Sequence, residues 1–307
     1  MPRRDALAFA FALGASLAGA FAGCRCQNPG GDAAGGAASA SGQLPVGIPV
    51  ASSVIGSVLN PFNAPRYEGP VGTVVGVVRV EGDPPPPLPK APGARTPGAN
   101  CGAAQAAYRH AFRAGPGGEL ADAIVGVTDY PGYLLPRGDA VRATIRECAF
   151  SARTFTLTFG QRLEVANEDR GDKYLPRLEG ARVTALMMAM PGGEPVRLYP
   201  QQPGRYALID DLNHPWMRAD VFVLKYPAHA VSGVDGSFRV EGVPAGKVRV
   251  NAGHPAIADG ASREVEVKAG EATKVELTLT YRTPPPPASA SGSASGSTSA
   301  RPVPKPR

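Results

Sequence analysis

The sequence predicts an all-β protein with one short helix and disordered ends, on three observations. Short runs rich in β-branched and aromatic residues recur along the middle of the chain, each bounded by Gly, Pro, Asn or Asp. Several alternate with period 2: Phe155, Leu157 and Phe159 share one face, and Thr154, Thr156 and Thr158 the other. Helical spacing appears clearly at one place, 101–115, where Ala104, Ala107, Tyr108 and Phe112 form an apolar stripe that stops at Gly115 and Pro116. The expected strands are 71–82, 123–130, 141–148, 154–160, 162–169, 183–190, 195–200, 204–210 and 219–226, followed by 237–241, 246–252, 263–268 and 273–281.

The ends are read differently from the middle. Residues 1–23 join a basic start at Arg3 and Arg4 to an apolar run that is too short for a bilayer span, which is the layout of a secretory signal peptide. Its last residues, Phe21-Ala22-Gly23-Cys24, resemble the lipobox of bacterial lipoproteins. The resemblance implies a mature chain that begins at lipidated Cys24 and is held to the membrane by its acyl chains. Plain secretion with cleavage near Ala22 is the alternative. Arg25 stands where inner-membrane retention signals carry aspartate, so the expected location is the bacterial outer membrane, facing the periplasm or the surface. Residues 24–66 are rich in Gly, Ala, Ser and Pro and read as a flexible tether; 283–307, with "PPPPASASGSASGSTSA", reads as a disordered tail.

Between the ends about 215 residues remain, enough for one large or two small cores. The 307-residue chain carries a formal net charge of +6, but its basic residues are scattered, with no Lys/Arg run and no nucleic-acid motif, so nucleic acid is not expected as a partner. Of the 4 cysteines, Cys24 is the expected lipidation site and Cys26 lies beside it in the tether with no assigned role. Export to an oxidising compartment favours a disulfide between Cys101 and Cys148. Two separately buried thiols are the alternative, and neither cysteine has a second Cys or a His at metal-ligand spacing in the sequence.

The stretch from "FTLTFGQRLEVANED" (155–169) to "PGRYALIDDLNHPWMRADVFVLKYP" (203–227) resembles a cupredoxin, with His-Pro-Trp-Met as its most specific piece. The resemblance implies a Greek-key sandwich over 67–227. It also locates a metal loop, in which His214 and Met217 match the second imidazole and the axial sulfur. A blue-copper centre needs two imidazoles and a thiolate. Asp211 stands where the thiolate belongs, and 167–178 contains no histidine. His214, Met217 and Asp211 are therefore weak candidates for a loose Cu(II) site, and no cofactor is expected. The expected role of His214 is structural, hydrogen-bonded in its loop under Trp216. Met187, Met188 and Met190 are expected in the core.

Residues 228–282 resemble a carboxypeptidase regulatory-like module, of prealbumin-like or carbohydrate-binding-like fold, on "VSGVDGSFRVEGVPAGKVRVNAGHP" and "REVEVKAGEATKVELTLTY". Four strands are too few for a sandwich of this kind, which uses about seven. Strand 72–82, with its alternating Gly and Val, is expected to be shared with it.

No Gly-x-Ser-x-Gly, HExxH or P-loop is present, and the paired acids Glu168-Asp169 and Asp210-Asp211 sit at strand ends, where acids commonly face solvent. No catalytic residue is assigned and no enzyme is expected. The expected function is a non-catalytic binding or scaffolding lipoprotein of the cell envelope, for a glycan or protein ligand. The alternative is a periplasmic copper-binding or electron-transfer protein using the His214/Met217 loop. A glycan site would need an aromatic platform, for which Tyr130, Tyr133 and Trp216 are the candidates.

Overall fold

A computed structural model of the chain describes residues 48–89, 94–182 and 186–284. Residues 1–47, which hold the expected signal segment, Cys24, Cys26 and most of the expected tether, and residues 285–307, the expected tail beyond 284, lie outside the described residues. In chain order the elements are α1 (Ser52–Leu59), β1 (Val71–Gly82), α2 (Gly102–Ala107), β2 (Ile124–Thr128), β3 (Ala140–Arg146), β4 (Ala149–Phe150), β5 (Thr154–Thr158), β6 (Arg162–Asn167) and β7 (Pro176–Glu179). They continue with β8 (Val196–Leu198), β9 (Gly204–Asp210), β10 (Arg218–Leu224), β11 (His229–Val231), β12 (Ser237–Pro244), β13 (Gly246–His254), β14 (Ile257–Val267) and β15 (Ala272–Tyr281). The protein is all-β. Neither described helix is long and apolar enough to cross a membrane.

Four sheets enclose two cores. The first core lies among the strands of two 4-stranded sheets, ordered β5-β10-β9-β7 and β4-β3-β6-β8, and is filled by Leu157, Phe159, Leu163, Val165, Tyr174 and Leu208. The second lies among a 3-stranded sheet, β12-β1-β15, and a 4-stranded sheet, β11-β2-β13-β14, and contains Val74, Val78, Phe112, Leu120, Val250 and Leu279. β1 is the centre of its sheet: it runs antiparallel to β12, with Val74 opposite Val240, and parallel to β15, with Val74 opposite Thr273. Its alternation buries Val74 and Val78 completely, as period-2 sidedness requires.

β3 to β10 form the first sandwich and lie in sequence between β2 and β11, which pair antiparallel in the second, with Val125 opposite Ala230. The first sandwich is thus an excursion whose two ends are stitched together by a strand pair of the other. β1 pairs with the C-terminal strands, as expected for 72–82, and the difference from a cupredoxin-like unit spanning 67–227 is β2, which belongs to the sheets around the second core as well. Burial explains the assignment: Val125 and Val127 are fully inaccessible and pack with the C-terminal strands.

Three further elements differ from the sequence reading. Within 24–66, residues 52–59 form α1; Leu59 is buried and Ile55 and Val58 pack on the first core. The seat for Ile55 is the β5–β6 turn, where Gly160 has φ +98° and Ile55 Cδ1 lies 2.8 Å from the position a Cβ would take. Composition suggested a tether because the contact that orders this segment is made far along the chain. The 101–115 helix stops at Ala107, because its stripe serves two cores: Ala104, Ala107 and Tyr108 pack in the first, and Phe112 in the second, edge-on to Tyr281 at 4.9 Å. The strand expected at 183–190 falls partly outside the described residues, and 186–190 contains only an isolated bridge between Ala189 and Tyr174. Met187, Met188 and Met190 are not core residues; they are 39%, 43% and 43% exposed.

Candidate functional site

His214 lies in the loop between β9 and β10, and Asp210, the last residue of β9, organises that loop. The Asp210 side chain is buried. Its Oδ1 accepts the Leu175 N–H at 2.6 Å, and its Oδ2 accepts the backbone N–H groups of Asn213 (3.2 Å) and His214 (3.1 Å) and faces His214 Nδ1 at 2.8 Å. A carboxylate only accepts, so Nδ1 donates to Asp210 and Nε2 is the ring nitrogen left outside that bond. This corrects the reading of Asp210 as a solvent-facing strand end: it replaces the hydrogen bonds a bare loop would leave unmade. Tyr174 lies tilted against the imidazole at 4.7 Å between centroids, and Trp216 stands edge-on at 5.2 Å.

The other side of the site is a tight turn. Glu147 and Cys148 join β3 to β4 with φ +48° and +59°, the left-handed conformations a two-residue primed turn demands and non-glycine residues resist. Asp169 holds it: its carboxylate accepts the N–H of Glu147 at 2.6 Å and of Cys148 at 3.1 Å, and the Tyr174 hydroxyl at 2.6 Å. Burial, then the bond to Asp169, pushes the Tyr174 phenol far above its ordinary range. The Trp216 indole N–H donates to the Cys148 carbonyl at 3.1 Å. Cys148 is bonded to Cys101, with Cα atoms 5.2 Å apart, which resolves the alternatives left open for these two residues.

These elements bring together Cys148, Asp172 and His214, with one potential ligand atom from each lying within 4.8 Å of the others. Sequence spacing hid this group, because its members come from a hairpin turn, the loop after β6 and the loop after β9. The predicted trio is not assembled: Asp211 is exposed and forks onto Arg177 at 3.0 and 3.4 Å, while Met217 is buried in the first core. The group does not fit a blue-copper centre. Its one sulfur from cysteine is locked in a disulfide and it has a single imidazole, whereas that chemistry needs a thiolate and two.

Beside Trp216 a cavity of about 540 Å³ opens among residues of both sandwiches together with 88–89 and 94–97; Tyr108, Asp122, Arg153, Arg205, Trp216 and His254 are among its walls. Arg153 is the principal tie across it. Its guanidinium donates to the carbonyls of Ala107 (3.2 Å), His110 (2.8 Å) and Ala111 (3.1 Å), and its backbone N–H donates to Asp122 Oδ1 at 2.9 Å. Asp122, itself buried, also takes a two-pronged contact from Arg113, at 2.8 Å for each prong. Arg205 pairs with Asp220 on the rim. Burial pushes the Tyr108 phenol up to about 12 and the His254 imidazole down to about 4. Of the three predicted aromatics Trp216 alone lines this cavity; Tyr133 packs on the first core and Tyr130 on the second.

No family model matches the chain, and no curated protein matches it. The solved structures it resembles are cupredoxin-like. Amicyanin from Paracoccus versutus (Thiobacillus versutus) is 19% identical, over 33% of this chain and 97% of that one, with a TM-score of 0.25. An amicyanin mutant in its reduced state is 18% identical, over 28% of this chain and 82% of that one, again at 0.25. The Cu-containing nitrite reductase of Thermus scotoductus SA-01 is 19% identical over 32% of this chain, which spans about a quarter (24%) of that protein, at 0.24.

Proposed function

We propose that this chain is a non-catalytic binding protein of the bacterial cell envelope, lipidated at Cys24, that takes an oligosaccharide in the cavity beside Trp216. The observation that supports the reading is the composition of that cavity. An indole wall and two prolines, Pro215 and Pro255, face a set of guanidinium and carboxylate groups already held in place by one another. Sugar rings stack their C–H faces on aromatic rings and take hydrogen bonds from planar, bidentate side chains, and a preformed site of this kind loses little entropy on binding. The Trp216 ring is pre-set by its bond to the Cys148 carbonyl. The test is a glycan array probed with the lipid-free chain, followed by calorimetry on the hits. A bound oligosaccharide whose affinity falls at least tenfold in Trp216→Ala, with an unchanged melting profile, supports the reading. An empty array, or affinity indifferent to Trp216, defeats it.

The second reading, copper binding through the His214/Met217 loop, is set against the bond between Cys148 and Cys101 and the pairing of Asp211 with Arg177. Titration of the oxidised chain with Cu(II) separates the two readings: one equivalent held tightly, and lost in both His214→Gln and Met217→Leu, would favour copper binding through that loop.

A further inference from the structure

Outside the Trp216 cavity, the strongest cluster of chemistry-bearing side chains among the described residues surrounds the disulfide. Cys148, Asp172 and His214 converge there, and Cys101, bonded to Cys148 but outside that trio, would become a fourth donor once the bond is cut. Both cysteines are buried, Cys101 at 4% and Cys148 at 2% exposure, while Asp172 reaches the surface and leaves the site approachable from one side. His214 is held as metal-ligating histidines are held: a carboxylate, Asp210, accepts a hydrogen bond from Nδ1–H, which leaves Nε2 as the ring nitrogen free to ligate.

We propose that reduction of the Cys101–Cys148 disulfide converts this group into a tetrahedral site for a zinc-class divalent cation, with Cys101, Cys148, His214 and Asp172 as ligands. A dithiol reductant supplies two electrons and two protons. The Sγ–Sγ bond breaks, both cysteines become thiols, and the reductant closes to its own disulfide. The cation then displaces the two thiol protons to solvent, and the sulfurs bind as thiolates. Two thiolates, an imidazole and a carboxylate are the donors such a cation takes at about 2.0–2.3 Å, which sets neighbouring ligand atoms about 3.3–3.8 Å apart. The separations among Cys148, Asp172 and His214, within 4.8 Å, need movement of about an ångström, and the freed Cys101 sulfur must swing away from Cys148 to join them. The oxidised form has no such capacity, because a disulfide sulfur is not a thiolate. The envelope protein would thus take up metal in one redox state only, a property separate from ligand binding in the cavity.

The experiment uses the full chain with Cys24→Ser and Cys26→Ser, so that Cys101 and Cys148 are the only thiols, and cobalt(II) as the probe. After anaerobic reduction and removal of reductant, one equivalent of cobalt is expected to bind with a near-ultraviolet sulfur-to-cobalt band that the oxidised protein lacks. Cys148→Ser is expected to weaken the band and Cys101→Ser/Cys148→Ser to abolish it, and His214→Gln and Asp172→Asn each to weaken cobalt binding at least tenfold. Absence of the band in the reduced chain, or its persistence at full affinity in His214→Gln, overturns the proposal. Cys101→Ser guards against unfolding on reduction: it frees Cys148 with no reductant and keeps three ligands. Its circular dichroism reports the fold. Failure of this variant to bind cobalt while folded, or binding by unfolded chain alone, also overturns the proposal.

Discussion

Asp210 Oδ2 lies 2.8 Å from His214 Nδ1 and 3.1 Å from the backbone nitrogen of the same residue, so one buried carboxylate sets both the ring and the loop that bears it. Removing it strands several donors at once. Asp210→Ala is expected to lower the unfolding free energy by about 3 kcal/mol or more, since a buried charge-assisted acceptor is lost without replacement. Asp210→Asn should recover part of this, because its amide oxygen still accepts. Urea unfolding followed by Trp216 fluorescence measures both, and equal stability of Asp210→Ala and wild type would contradict the assignment.

Arg153 ties the first sandwich to the second through three carbonyls that leave α2 on the way to Phe112. Arg153→Ala leaves those acceptors unpaired in a half-enclosed site, and a loss of about 3 kcal/mol is expected. Arg153→Lys should restore less than half of it, because an ammonium lacks the planar fork that reaches three acceptors. The measurement is the shift in urea midpoint, with proteolysis between residues 107 and 124 as a local readout of the junction.

Stability should fall with acid from two buried imidazoles. His229 sits between the Thr156 and Thr158 hydroxyls at 2.9 and 3.0 Å, and His254 lines the cavity with Asp122, Arg113 and Arg153 nearby. Burial lowers both from 6.5 to about 4. Between those values the unfolded chain binds protons that the native chain refuses, so stability is full above pH 6.5 and declines as pH drops toward 4. The loss at the lower end is up to roughly 3 kcal/mol for each ring. Melting temperatures across that window should flatten in His229→Gln and His254→Gln relative to wild type. An unaltered slope in both variants would count against buried neutral imidazoles.

Gly76 lies at the middle of β1, between β12 and β15, where an added Cβ would meet the Val275 carbonyl oxygen. Gly76→Ala must push β15 away from the strand it pairs with, and a cost of about 2–4 kcal/mol is expected from overpacking. Gly253→Ala, with nothing within reach of its Cβ, is the control and should be near neutral. Thermal unfolding of the pair reads the difference.

Period-2 alternation made the strands legible, because a half-buried strand must present alternate residues to the core whatever its partner is. Val74 and Val78 in β1 needed nothing else, whereas β5 alternates in sequence yet is buried on both faces, Thr154, Thr156 and Thr158 included. The helix at 101–115 was legible only to Ala107. Local periodicity cannot say that Tyr108 and Phe112 belong to different cores, and the break falls between them. α1 was illegible in a Gly/Ser-rich stretch, since its order comes from docking Ile55 and Leu59 on strands about a hundred residues away.

By itself the sequence determined the all-β class, the strand faces, the absence of a thiol three residues before His214, and the oxidised pairing expected of Cys101 and Cys148. Beyond the sharing of 72–82 with the C-terminal strands, tertiary structure decided which strands share a sheet. It also decided that Asp210 and not Asp211 holds His214, that Asp172 and the disulfide close around that ring, and that a cavity opens beside Trp216. The physical reason is range: side-chain alternation is written into neighbouring residues, whereas a site is a meeting of loops whose separation in space bears no relation to their separation along the chain.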